Sequence, residues 1–140
     1  MNKSIVIDAS VCAKWLLPDE KDATADLIKK EFAQRVMSIS VPVFIFYEVN
    51  NLLKSAILSG RLDAKEAINL YEAFLDLDFI VYSSKQLLKS ILKKAIELNI
   101  SSYDASYVSL AEFLQIPLYT ADQKLVKKTS NKLVRSLEDY

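Results

Sequence analysis

SIVIDASVCAKWLLPDE, residues 4–20, places three β-prone residues, Ile5, Val6 and Ile7, directly before Asp8. A short apolar run without polar alternation reads as a strand covered on both faces. A carboxylate at the end of such a strand has two readings. Asp8 or Ser10 could cap a helix beginning near Val11. Alternatively, Asp8 could stand at the carboxyl rim of a parallel sheet, where open α/β folds place their chemistry.

The same grammar recurs along the chain. ATADLIKKEFAQ (23–34) has helical periodicity, with Leu27, Ile28 and Phe32 on one side and Lys29 and Lys30 on the other. MSISVPV (37–43) predicts a second strand, with Pro42 marking its exit. FIFYEVNNLLKSAILS (44–59) predicts a helix that Gly60, the only glycine, stops as a C′ residue. A helix over 63–77 starts on Asp63 and carries Ala67, Leu70, Tyr71 and Phe74 at helical spacing. FIVYS (79–83) reads as a third strand, 84–99 as a helix from Ser84 to Asn99, and 101–115 as another helix. IPLYT (116–120) is a fourth strand, QKLVKK (123–128) a short helix and KLVRSL (132–137) an edge strand. Strands alternate with helices and are apolar runs. The fold class is therefore α/β: a small, mainly parallel central sheet of four to five strands flanked by helices on both faces, in one domain over 1–140.

Composition excludes several classes of function. Hydrophobic residues make up 51% and charged residues 26%, which is a globular balance. Eighteen Lys and Arg offset eighteen Asp and Glu, so no global basic field drives binding, although local patches could hold nucleic acid. No apolar window is long enough for a membrane span, and MNKSIVID lacks the character of a signal peptide. A single cysteine, Cys12, excludes an internal disulfide and a thiolate metal cluster, so a reducing cytoplasm is the expected location. Without histidine, the commonest general base and the commonest zinc ligand are both missing. Any metal would be held by oxygen, which favours Mg²⁺ or Mn²⁺. One glycine leaves no Gly-rich phosphate loop.

Four carboxylates occupy unusual places. Asp8 ends one predicted strand and Asp122 follows another by one residue. Glu48 lies among Phe44, Ile45, Val49 and Leu52, at the margin of an apolar helix face, and Asp104 shares its helical face with Tyr107, Val108 and Ala111. Each has a plain alternative. Asp8 and Asp122 could be helix caps, Asp104 the acidic member of a capping box with Ser101, and Glu48 a flank residue. Together, in a chain without histidine, they predict an acidic pocket whose repulsion calls for a divalent cation. A hard cation with open positions is the apparatus of phosphodiester hydrolysis.

VIDASVCAKWLLPDE, the Glu of FYEVNNLLKSA, SSYDASYVSLAE and LYTADQKL resemble the PIN-domain nucleases, and especially the VapC-type toxins of toxin–antitoxin pairs. The four blocks occur in the family's order over nearly the whole chain. The resemblance implies a metal-dependent endoribonuclease using Mg²⁺ or Mn²⁺, with its acidic quartet on Asp8, Glu48, Asp104 and Asp122. Asp8 and Asp104 are then the first-choice ligands, and Glu48 and Asp122 complete the shell or orient water. The family's small hydroxyls fall on Ser10 and Thr120, which could order water, bond to a carboxylate, or serve as ordinary capping or turn hydroxyls. Gln123 and Lys124 stand where some members carry a fifth acid, so a second metal held wholly by protein is not implied. The implied partners are an RNA substrate, a cognate antitoxin protein and a second copy of the chain in a homodimer. The competing reading is a catalytically idle PIN-like module that binds RNA or protein.

Several other features have two readings. Lys14, Lys124, Lys127 and Lys128 are candidate RNA contacts, with Lys132 in the same cluster; Lys85, Lys89 and Lys93 form a second basic stripe. Solvated helix faces are the alternative. Trp15, Tyr103 and Tyr107 could stack on a base or pack in the core. Cys12 reads as a small packing residue. Leu52, Ile57, Leu70 and Phe74 exceed what one core readily buries, so some of them are candidates for an interface. An aspartyl-phosphatase reading of Asp8 is disfavoured because D-x-S lacks the second acid of D-x-D, and a receiver reading because paired acids and a suitably placed strand-end Lys are missing.

Overall fold

The computed structural model describes residues 3–140, so Met1 and Asn2, part of the start considered above for a signal peptide, lie outside it. Five strands and seven α-helices form one sheet and its covering layers among the described residues. The strands are β1 (Lys3–Ile7), β2 (Met37–Pro42), β3 (Ile80–Tyr82), β4 (Leu118–Thr120) and β5 (Val134–Ser136). The helices are α1 (Ala9–Leu16), α2 (Ala23–Ala33), α3 (Phe44–Leu58), α4 (Ala64–Leu75), α5 (Lys85–Leu98), α6 (Ser102–Leu114) and α7 (Gln123–Lys128).

The strand order is β3-β2-β1-β4-β5 and every pairing is parallel. Connections from β1 to β3 step one way across the sheet, and those from β3 to β5 step back. Right-handed crossovers therefore place α1–α4 on one face and α5–α7 on the other. The central strand β1 is covered on both sides: Ile5, Val6 and Ile7 are all fully buried. The Ser4 and Ser38 hydroxyls meet at 2.9 Å across β1 and β2, in register with each other.

Helix ends follow local chemistry. Asp22, Asp63, Ser84 and Ser101 each accept a backbone N–H three residues on, as N-caps do. Gly60 has φ +77°, the left-handed conformation a C′ glycine supplies without a Cβ penalty. Asn99 ends α5 in the same region at φ 52°, and Gln115 ends α6 at φ 55° with no comparable sequence signal. Helix α6 is buried without interruption from Ala105 to Ala111, which makes it the central helix of its layer.

Several expectations are corrected. Leu27 is 46% exposed, so α2 buries Ala25, Ile28 and Phe32 instead. Helix α1 begins at Ala9, which assigns the cap to Asp8 and removes Ser10 from that role. Ile116 and Pro117 precede β4 rather than belong to it. Phe74 is core at 2% exposure, edge-on to Phe46 and tilted to Phe79, whereas Leu52, Ile57 and Leu70 are half-buried.

Candidate active site

The reversal of strand order between β1 and β4 creates a crevice at their carboxyl ends, and Asp8 and Thr120 face each other across it. Asp8 is 4% exposed. Its Oδ1 accepts from the Ser10 N–H at 3.1 Å and the Ser10 hydroxyl at 2.5 Å, and its Oδ2 from the Thr120 hydroxyl at 2.5 Å. Those hydroxyls are themselves oriented. The Ala121 N–H donates to Ser10 Oγ at 2.9 Å and the Asp122 N–H to Thr120 Oγ1 at 3.0 Å. Each hydroxyl thus spends a lone pair on a backbone donor and turns its proton toward the carboxylate. Asp8 is at once the cap of α1 and a carboxylate on the rim of the crevice.

Glu48 projects from the second turn of α3, and its Oε1 accepts from the Tyr107 hydroxyl of α6 at 2.7 Å. Asp104 sits in the first turn of α6, with its N–H donated to Ser101 Oγ at 3.0 Å. Asp122 caps α7 through one oxygen, Oδ1, which accepts from Lys124 and Leu125. Its capping role is real and still leaves Oδ2 free of those bonds.

The electrostatics join these groups. Burial pushes the Asp8 carboxyl up to about 6, partly offset by the Ser10 and Thr120 hydrogen bonds, with Asp104 adding to the rise. Burial likewise raises Glu48; the Tyr107 bond lowers it, and the charges of Asp8 and Asp104 raise it further. Asp104 is raised by burial and then by Asp122, against opposing effects of Ser101 and Lys128. Among the described residues, no salt bridge reaches any of the four acids. The structure therefore sets the four acids near one another with no salt bridge on any of them, and Asp8, Glu48 and Asp104 are raised. No three of them close into a compact ligand cage among the described residues.

That arrangement fits a hard divalent cation completed by water or substrate: every donor is an oxygen, and the charge is uncompensated. Three hollows are each lined by one or more of the four acids. One of about 600 Å³ is lined by Ser10, Lys14, Arg61 and Asp122. A second of about 410 Å³ is lined by Asp104, Asp122, Lys124 and Lys128. A third of about 270 Å³ is lined by Tyr47, Glu48, Asn51 and Tyr103.

Lys14, Lys124 and Lys128 thus border the site, while Lys127 and Lys132 are exposed outside these linings, as is the Lys85, Lys89 and Lys93 stripe. Two aromatic candidates are withdrawn. The Trp15 Nε1–H donates to the Ala25 carbonyl at 2.8 Å and its ring stacks on Phe79, and Tyr107 is 1% exposed. Cys12 is fully buried, with its thiol pushed up by burial, and is a packing residue. The sequence missed the clasp of Tyr107 on Glu48, because no local pattern joins positions 59 residues apart. It missed Tyr47 and Asn51 too; their only signal was a place off the apolar face of α3.

The model of the PIN domain family matches residues 5–131. The chain belongs to the PIN-domain family. Within it, Ribonuclease VapC3 of Pyrobaculum aerophilum is 31% identical over 126 residues, covering 89% of this chain and 93% of the relative. The crystal structure of PAE2754 from the same organism aligns with a TM-score of 0.72 and 27% identity, over 99% of this chain and 94% of that one. VapBC2 from Rickettsia felis, solved bound to a DNA fragment from its promoter, gives a TM-score of 0.70 over 95% of this chain and 98% of that chain. At 14% identity, that likeness speaks for the fold alone. The PIN assignment accounts for the parallel five-stranded sheet and its covering helices.

Proposed function

We propose that this PIN-domain protein is a Mg²⁺- or Mn²⁺-dependent endoribonuclease, the toxin of a toxin–antitoxin pair. The observation that carries the reading is the field of four unneutralised carboxylates at the carboxyl end of the sheet, in a relative of the VapC ribonucleases. Asp8 and Asp104 would hold the ion, with Glu48 and Asp122 completing its surroundings directly or through water. When bound, such an ion supplies Lewis acidity at the phosphodiester and a water of lowered pKa.

The chain's own residues supply position and charge. Ser10 and Thr120 fix the Asp8 carboxylate, and their donated protons favour its ionised form despite burial. Tyr107 pins Glu48 through Oε1, leaving Oε2 to accept a proton from the attacking water. Lys124 and Lys128, beside Asp104 and Asp122, meet the phosphates of the RNA backbone, and Lys14 does so from the opposite hollow. An idle binding module is disfavoured, because all four acids are present and gathered.

A partner antitoxin belongs to the same reading, supported by the 31% identity with Ribonuclease VapC3. So does a homodimer. Leu88, Leu92 and Ile96 of α5 form an apolar stripe at i, i+4, i+8, exposed by 44%, 59% and 73%. A continuous stripe of that kind marks an interaction surface. Among the described residues no helix is long and apolar enough to cross a membrane.

The test is cleavage of structured RNA by the purified protein with Mg²⁺, with Mn²⁺ and with EDTA, beside Asp8→Asn and Asp104→Asn. Cutting that needs the metal and fails in both variants is expected. Metal-independent cutting, or full activity in both variants, refutes the mechanism.

A further inference from the structure

Tyr47 and Tyr103 are 71% and 53% exposed, which is unusual for rings that carry so much apolar area. They come from different helices, α3 and α6, and line the same hollow of about 270 Å³ with Glu48 and Asn51. Tyr103 does not lie loose on the surface: the Phe44 ring meets it edge-on at 6.0 Å and 81°. Asn51 follows Tyr47 by one helical turn and presents an amide with both donors and an acceptor. The fourth lining residue is Glu48, one of the four candidate acids, so the hollow borders the candidate site.

Two aromatic rings, an amide and an open mouth are the components with which proteins bind a base taken out of its stack. Neither a phosphate nor a duplex fits this wall. It offers no cation among its lining residues, and a paired base shows no free face to a ring. We propose that Tyr47, Tyr103 and Asn51 form a subsite for one unstacked nucleobase of the RNA, next to the scissile phosphate. The subsite rests on the ribonuclease reading and deepens it: the substrate segment is single-stranded at that nucleotide, and Asn51 reads the base edge. Tyr47 and Tyr103 act by stacking and Asn51 by hydrogen bonding; none of them moves a proton.

Binding can be measured apart from cutting, by fluorescence anisotropy of a short, labelled, nuclease-resistant 2′-O-methyl phosphorothioate single strand. Tyr47→Ala and Tyr103→Ala should each weaken it roughly five- to hundredfold, the range of one lost base stack, while Tyr47→Phe and Tyr103→Phe bind as wild type. Both side chains are more than half exposed, so circular dichroism should report an unchanged fold. An abasic site placed at successive positions of the strand should weaken wild-type binding at one position. The same lesion should cost the Tyr47→Ala protein less than it costs wild type. Asn51→Ala should flatten the preference among the four bases at that position. Ala variants that bind as wild type, an abasic loss undiminished in Tyr47→Ala, or no binding by wild type would each overturn the subsite. A protein that cuts RNA but fails these arms loses only the subsite. One that passes them but never cuts loses only the nuclease assignment.

Discussion

The Arg61 guanidinium holds Asp19 at 2.8 Å and Glu20 at 2.7 Å on the surface, whereas among the described residues Asp8, Glu48 and Asp104 form no salt bridge. The two groups are neighbours, because the hollow lined by Glu20 and Arg61 is also lined by Ser10 and Asp122. Arg61 lowers the Asp19 carboxyl, while burial and mutual repulsion raise Asp8, Glu48 and Asp104. One chain thus neutralises its acids where they only tie the turn at 18–20 to the α3–α4 connection, and leaves them unneutralised at the crevice. Unpaired buried charge is costly to a fold, so its presence in one place points to a use.

The largest expected effect comes from removing one charge of the unneutralised group. Asp8→Asn should lower RNA cleavage by about a hundredfold or more, measured as kcat/KM at saturating Mg²⁺. Retained activity would place Asp8 among the merely structural caps. The second effect is on stability in chelator. The folded Asp8 titrates near 6 against an ordinary value of 3.8, so between these pH values the folded protein binds a proton that the unfolded chain has lost. Stability should therefore fall as pH rises from about 4 to about 6, by roughly 3 kcal/mol from this residue. Glu48 and Asp104, also raised, act with the same sign. Urea denaturation across that range would show it, and added Mg²⁺ should flatten the slope. A profile that rises with pH would contradict the contrast between the two groups.

Smaller effects test the supports. Thr120→Val removes a fully buried hydroxyl that serves Asp8 and the Asp122 N–H, and should cost about 1–3 kcal/mol of stability with roughly tenfold of activity. Tyr107→Phe deletes the clasp on Glu48 and should cost about 1 kcal/mol, read by thermal denaturation. Arg61→Ala breaks only exposed ion pairs, so its melting curve should match wild type in both low and high salt. A marked loss there would mean that the neutralised group carries more of the fold than its exposure implies.

Much of this was legible along the chain. Ser84, Asp63, Ser101 and Gly60 set helix ends through bonds that span one turn. The apolar run at 5–7 gave the central strand, because a strand between two helical layers needs no polar face. The failures are equally physical. Leu27 sits at the right period but on the wrong side of α2, since the period of a helix does not say how far its buried stripe extends. Trp15 and Tyr107 looked available to a base until distant groups, the Ala25 carbonyl and Glu48, took their polar atoms.

By itself, the sequence determined the α/β alternation and the caps and nominated four acids, since spacing and capping act over a few residues. Only the tertiary structure decided what those acids become. Thr120 reaches Asp8 across 112 residues and Tyr107 reaches Glu48 across 59, and desolvation exists only once both helical layers have closed on the sheet. It also separated the rings that pack inside from the pair, Tyr47 and Tyr103, that face outward beside Glu48. A carboxylate's chemistry is set by what excludes water from it and by which charges remain unpaired nearby, and both belong to the folded chain.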